Sequence, residues 1–263
     1  MQKFVSSLQN PAVKRILLLQ EKARARRKEN AFVVEGIREI SLALKGGFKL
    51  KEFFFNTELF PAEKIKDLVP FPAEVTVLSP EVYEKVAYRG STEGVIGIFG
   101  AKELSLKDVQ LKNKNPLVLV AEAPEKPGNI GALLRTADAA ALDAVFIANP
   151  KTDLFNPNII RSSVGCVFTN QLATGTTSEI IDFLKQRKIA IFGAALQASV
   201  PYHTADFSRA CAIIVGTEAT GLSEEWLENS TQNIIIPMEG EIDSMNVSVA
   251  AGILIFEAKR QRR

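Results

Sequence analysis

The chain has 263 residues, 46% hydrophobic and 24% charged, which suits one large or two ordinary folded domains and excludes a disordered or collagen-like polymer. The longest strongly apolar run, Val247 to Phe256, is interrupted by Ser248 and falls short of the about 20 residues a membrane span needs. Two cysteines, Cys166 and Cys211, cannot build a disulfide framework, and one histidine, His203, without HExxH or EF-hand spacing gives no metal-site pattern. The first residues, MQKFVSSLQNPAVKR, carry no apolar signal-peptide core, so a reduced cytoplasmic setting is expected, with no membrane partner.

The net charge of +2 hides an asymmetry. Residues 1–51 hold 12 Lys/Arg against 4 Glu, a local +8, which leaves the remainder at −6. A basic end on a near-neutral protein suggests a polyanion held by one part of the molecule, although a solvated helix face explains the charge equally well.

In chain order, Asn10-Pro11 predicts a helix start, with Val13, Ile16 and Leu17 as its apolar stripe, running on into the basic cluster Arg24 to Lys28. Short strands are predicted at 31–34, 52–55, 74–78 and 95–99, with helices at 36–45, 62–68 and after Ser79-Pro80 between them. This alternation implies a small α/β domain with partly parallel pairing over 1–100. Lysine-rich, weakly periodic residues 101–115 are the expected linker. A second alternation fills 116–263: strands at 117–121, 144–148, 189–194, 212–215 and 233–236, and helices at 130–140, 179–187 and 223–227. A final helix, 246–260, is apolar over more than one face, which suits a buried element or a subunit contact.

Ligands of open α/β sheets collect beyond the C-terminal ends of the strands, which makes three loops of the second domain candidates. The first, from Glu122 through Gly128, Asn129 and Gly131, enters a helix in which Arg135 stands among Ala and Leu. In the second, Gly216 and Gly221 bracket Glu218, with Ser223 placed to cap the next helix. In the third, Ile236-Pro237 leads to Ser244 and Asn246, either of which can cap the final helix. Read one at a time, these features are equally served by an exposed arginine, a solvated glutamate and ordinary caps. None is a Walker A loop or a GxGxxG dinucleotide fingerprint, which disfavours a dehydrogenase.

Together the loops resemble the SpoU/TrmH family of RNA ribose 2′-O-methyltransferases, of the SPOUT class. PGNIGALLRTADAA at 127–140, IVGTEATGLS at 214–223 and IPMEGEIDSMNVSVAAGILIFEAKRQ at 236–261 occur in family order, and NPNIIRSSVG at 156–165 resembles the segment between the first two. FVVEG at 32–36 and EGVIGIF at 93–99 resemble the L30e-like substrate-binding domain often fused to this family, so the resemblance covers nearly the whole chain. It departs at Glu122, where Asp is common, at the inserted Glu125-Lys126, and at Asp243-Ser244-Met245-Asn246, where Glu-Ser-Leu-Asn is commoner.

The resemblance implies an α/β SPOUT-type domain with a trefoil knot, preceded by a smaller L30e-like α/β domain. It implies S-adenosylmethionine (SAM) as cofactor, held around Leu196, Gly216, Ile236 and Met245, with glycine at 216 leaving room for a ligand resting on the backbone. Arg135, Asn129, Glu218, Ser244 and Asn246 are the implied catalytic set. Because a guanidinium stays protonated, Arg135 is expected to position the ribose hydroxyl and adjacent phosphate rather than act as a base. RNA contacts are expected from Arg24, Arg26, Arg27 and Lys28, with Arg89 and Arg161. The implied partners are RNA, ribosomal more than transfer RNA, and a second copy of the chain. The alternatives are a tRNA target or a non-catalytic RNA-binding assembly protein of the same fold.

Overall fold

The computed structural model describes residues 3–69, 73–88, 93–196, 199–217, 220–242 and 244–263. They divide into two compact units, one comprising the chain up to 103 together with 153–169, the other 104–152 and 170–263.

In the first unit a short strand β1 (Lys3–Val5) precedes helix α1 (Pro11–Glu21). Asn10 starts α1 as its sequence implies, its Oδ1 accepting the Ala12 N–H at 2.9 Å. The helix does not run on into the basic cluster. Lys22 is extended (φ −110°, ψ 110°), and a separate helix α2 (Ala23–Glu29) follows, closed by Asn30 in the left-handed region at φ 45°.

The break has a physical cause in Arg26. The last carbonyls of a helix lack intrahelical partners. Nη1 of Arg26 donates to the carbonyls of Leu19 and Gln20 at 2.6 and 3.0 Å, and its Nε donates to Asp153 Oδ2 at 2.5 Å. At 4% exposure Arg26 is an interior group and is unavailable to a phosphate, which corrects its expected RNA contact. Its neighbours Arg24, Arg27 and Lys28 remain exposed.

The unit continues with β2 (Ala31–Glu35), α3 (Ile37–Lys45), β3 (Leu50–Phe55), a 3-10 turn at Ala62–Lys64, α4 (Ile65–Leu68), β4 (Glu74–Leu78), α5 (Pro80–Val86) and β5 (Val95–Gly100). The sheet order is β1-β4-β3-β5-β2, parallel where β4 meets β1 and β3, antiparallel where β5 meets β3 and β2. Strand β1 escaped the sequence reading because it is three residues long and leaves Phe4 63% exposed.

The second unit carries β6 (Leu117–Glu122), α6 (Pro127–Ala139) and β7 (Ala144–Ala148). The chain then supplies residues 153–169 to the first unit, with helix α7 (Pro157–Ser162) among them. Their anchor is aromatic. Phe155 stacks on Phe32 with ring centroids 4.4 Å apart, and Phe168 does so at 5.7 Å.

Back in the second unit follow β8 (Leu172–Gly175), α8 (Thr177–Gln186), β9 (Ala190–Ala194), β10 (Val200–Pro201), β11 (Cys211–Val215), α9 (Glu224–Asn229), β12 (Gln232–Ile235) and α10 (Val247–Gln261). Their seven-stranded sheet is parallel throughout, in the order β10-β12-β9-β11-β6-β7-β8. Every residue of β6, β7 and β11 is buried, as expected of parallel strands covered on both faces. Cys211 opens β11, where burial pushes its thiol up; neither it nor Cys166 is in a disulfide.

Removing Arg26 strips Asp153 and two helix-terminal carbonyls of their donor. Arg26→Ala should cost about 3–5 kcal/mol in urea unfolding, whereas Arg24→Ala should stay within about 0.5 kcal/mol of the parent. Equal effects of the two would return Arg26 to the surface face.

Candidate active site

Strands β12, β9, β11 and β6 are consecutive neighbours and all parallel, so their C-terminal ends share one edge of the sheet. The loops that leave them are 123–126, 195–199, 216–223 and 236–246. At about 4.8 Å between strands, all four emerge within about 15 Å of one another. From β6 the chain builds outward through β7 and β8, then returns to the other side of β6 for β9 and β11. The gap between β6 and β11 is therefore the switch point at which open parallel sheets bind ligands.

Glu122 organises this edge. It is the last residue of β6 and only 7% exposed. One carboxylate oxygen accepts the Ser223 N–H at 2.9 Å; the other accepts the hydroxyls of Ser223 at 2.7 Å and Thr177 at 3.3 Å. The carboxylate thus ties β6 to the end of the loop after β11 and to the start of α8. Ser223 stands at the N-cap of α9 without making the capping bond, because its hydroxyl serves Glu122 instead. The sequence reading missed this role: an acid ending a buried strand, with a serine about 100 residues later, carries no local pattern.

The loop after β11 closes on itself. Thr217 and Gly221 exchange both backbone hydrogen bonds, at 3.1 and 3.0 Å, and Gly221 sits at φ 67°. A Cβ on Gly216 would lie 2.2 Å from the Gly221 carbonyl carbon and oxygen. Glycine is therefore required by the loop's own backbone, apart from any ligand that rests on it.

The first and third motifs meet directly. Asn246 Nδ2 donates to Asn129 Oδ1 at 3.1 Å, while Asn246 Oδ1 caps α10 by accepting the Ser248 N–H at 2.9 Å. Asn129 lies inside the first turn of α6, which begins at Pro127 after Lys126, so it is not the helix cap. Its side chain is used to meet Asn246. Helix α10 packs along α6, with Gly252 facing Thr136, one residue beyond Arg135.

Arg135 is exposed on α6 and pairs with no described carboxylate. Ser244 is exposed in the last loop. Of the residues expected around the cofactor, Leu196 is 62% exposed, and Gly216, Ile236 and Met245 are half-buried; Ile242, in the same loop as Met245, is 67% exposed. Glu218 and Arg89 lie outside the described residues. Arg161, in the first unit, is half-buried, donates to Asn158 Oδ1 at 3.1 Å and holds its guanidinium 5.5 Å from the Tyr88 ring centre. Among the described residues no group of His, Cys, Asp and Glu is placed to hold a metal.

A parallel α/β sheet whose later strand β11 lies between β6 and β9, with three motif-bearing loops on one edge, defines a SPOUT-type methyltransferase domain. Residues 116–256 match the model of the SpoU rRNA Methylase family, and residues 10–97 match the MRM3-like substrate binding domain. The chain belongs to the SpoU rRNA Methylase family. It is 30% identical to the 23S rRNA (guanosine(2553)-2′-O)-methyltransferase RlmP of Bacillus subtilis (strain 168), over 98% of this chain and 99% of that protein. Two solved structures are similar over nearly full length. One is an RNA 2′-O ribose methyltransferase, with 34% identity and TM-score 0.84 over 98% of this chain and 99% of that one. The other is an AdoMet-bound rRNA methyltransferase from Sinorhizobium meliloti, with 28% identity and TM-score 0.90 over 98% and 97%.

The Gly216 contact predicts an effect that needs no ligand. Gly216→Ala should lower the unfolding free energy of the free protein by about 1–3 kcal/mol, because the 217–221 turn must open to admit the Cβ. Denaturant unfolding without added ligand measures it. Unchanged stability would restore the reading in which glycine serves the ligand alone.

Proposed function

We propose that the protein transfers the methyl group of S-adenosylmethionine to a ribose 2′-hydroxyl of ribosomal RNA, in the cytoplasm and as a homodimer. The observation that carries this reading is the Asn129–Asn246 hydrogen bond, which joins the first and third motifs at the helix that carries the exposed Arg135. The relatives named as 23S rRNA 2′-O-methyltransferases support ribosomal rather than transfer RNA.

The residues at the sheet edge suit SAM. Leu196 and Ile242 leave apolar surface exposed, Ile236 and Met245 are half-buried in the same loop region as Ile242, and adenine needs such surface plus loop backbone groups. Leu196, Gly216, Ile236 and Met245 would hold it, and the trefoil knot of the SPOUT fold belongs to the same reading. SAM, when bound, supplies a methyl already activated on a sulfonium.

What this chain must add is position. The planar guanidinium of Arg135 offers several donors in a fixed fork, so it holds the ribose oxygen and the neighbouring phosphate and offsets charge developing on the oxygen. The hydroxyl proton passes to that phosphate or to water. Asn129 and Asn246 fix the start of α6 relative to α10, and Ser244 and Glu218 complete the set that orients the ribose and the methionine end of the cofactor. Arg24, Arg27, Lys28 and Arg89 hold phosphates and place the RNA, with Arg161 a further RNA contact, while the ribose hydroxyl is what separates RNA from DNA.

Helix α10 supports the second copy. Val249 and Phe256, seven residues apart on one face, are 54% and 51% exposed, with half-buried Ile253 between them. Among the described residues no helix is long and apolar enough to cross a membrane.

Arg135 variants test the mechanism. In single-turnover methylation of 23S rRNA, Arg135→Ala should be slower by about 100–1000-fold while SAM affinity by calorimetry barely changes. Arg135→Lys keeps the charge but loses the planar fork, and should stay badly impaired. Turnover near that of the parent in the Ala variant would remove Arg135 from the chemistry.

A further inference from the structure

The first unit contains a cavity of about 460 Å³, within the about 300–1,000 Å³ of small-ligand pockets. Its lining includes Val33, Glu35, Tyr88, Glu93, Ile160 and Arg161, all within that unit. None of the family motifs of the second unit contributes to it, and the methyl-transfer chemistry makes no use of it.

The lining combines two chemistries. One is aromatic and cationic: Tyr88 is 39% exposed, and the Arg161 guanidinium lies over its ring, 5.5 Å from the centre. Aromatic rings and guanidinium planes are the surfaces on which unpaired bases stack. The apolar Val33 and Ile160 also line the cavity.

The lining also holds hydrogen-bond acceptors fixed by backbone donors. Glu35 Oε2 accepts the Tyr88 N–H at 2.9 Å, which fixes the residue bearing the ring against the carboxylate. Glu93 is exposed at the rim, with its Oε2 accepting the Ile37 N–H at 2.5 Å. Gln20, also in the lining, donates its amide to the Val86 carbonyl at 2.8 Å. Glu39 is committed to Arg38 at 2.9 Å.

A ligand for this pocket must be flat and must present donors. Phosphate and the carbonyl edge of uracil are repelled by carboxylates. Adenine and cytosine each present one exocyclic amine beside an acceptor nitrogen. Guanine presents two adjacent donors, N1–H and N2–H, which match one carboxylate in the bidentate manner that discriminates bases. We propose that the cavity is a guanine subsite, in which an unstacked guanine of the substrate RNA stacks against the Tyr88–Arg161 pair with N1–H and N2–H donating to Glu93. The proposal rests on RNA being the substrate. It gives the first unit a means of choosing sequence that its exposed α2 lysine and arginines lack, since phosphate contacts position without reading bases.

The test uses the full chain and fluorescein-labelled UUGUU, UUAUU, UUCUU and UUUUU, with affinity read by anisotropy. UUGUU should bind about tenfold more tightly than the other three. Glu93→Gln keeps an oxygen for the Ile37 N–H but sets an amine against the guanine donors; it should erase the preference and leave UUUUU affinity unchanged. Tyr88→Ala should weaken UUGUU about tenfold. The triple variant Arg24→Ala, Arg27→Ala, Lys28→Ala should weaken all four alike and keep the preference. Equal binding of the four by the parent, a preference that survives Glu93→Gln, or binding of none overturns the subsite. So does a pocket that takes spermine in competition without base preference, which would mark it as a site for amines. Methylation of 23S rRNA, run beside these titrations, keeps the two ideas apart: intact transfer without base preference sinks the subsite alone, and loss of transfer from the parent sinks the methyltransferase reading.

Discussion

The candidate site hangs on the carboxylate of Glu122. A buried carboxylate is costly unless its oxygens are met by donors, and here three donors from two distant parts of the chain meet it. Hydrogen bonds to a charged acceptor contribute about 1.5–3 kcal/mol each, so the end of β6, the start of α8 and the end of the 216–223 loop are held as one piece. That piece lies beside the gap between β6 and β11, where the direction of sheet building reverses. The loops around this gap can then differ in sequence while keeping their starting points.

A second set of constraints holds the first unit. Arg26 closes the C-terminal carbonyls of α1 and pairs with Asp153, and Phe32 stacks on Phe155 and Phe168. Both interactions use residues 153–169, which interrupt the sequence of the second unit. The alternation of short strands and helices was readable because apolar runs and Pro or Gly punctuation are local. The excursion was not, since nothing near Asp153 or Phe155 shows that their partners lie more than 100 residues earlier. The basic cluster shows the same limit: Arg24, Arg26, Arg27 and Lys28 look alike in sequence, and only the tertiary partners Leu19, Gln20 and Asp153 distinguish the buried Arg26 from the rest.

At the site, the motifs told which loops matter and less about why. The α10 cap by Asn246 was legible from residue type and position. Asn129 has the same residue type at the start of a helix but sits inside the first turn, and its partner is the other asparagine. Gly216 was expected to leave room for a ligand on the backbone, and the structure adds a second demand for glycine, the close approach of Gly221 in its own loop. In each case the residue type announced a constraint, and tertiary structure decided what met it.

The central claim is that this sheet edge serves methylation of a ribose hydroxyl in ribosomal RNA. The most direct measurement maps 2′-O-methyl positions across ribosomal and transfer RNA from cells with the gene intact, deleted, and restored as Arg135→Ala. The expected result is one ribosomal position that loses its ribose methyl on deletion, regains it with the intact gene and fails to regain it with the variant. An unchanged map, or a loss confined to transfer RNA or to base methylation, would contradict it.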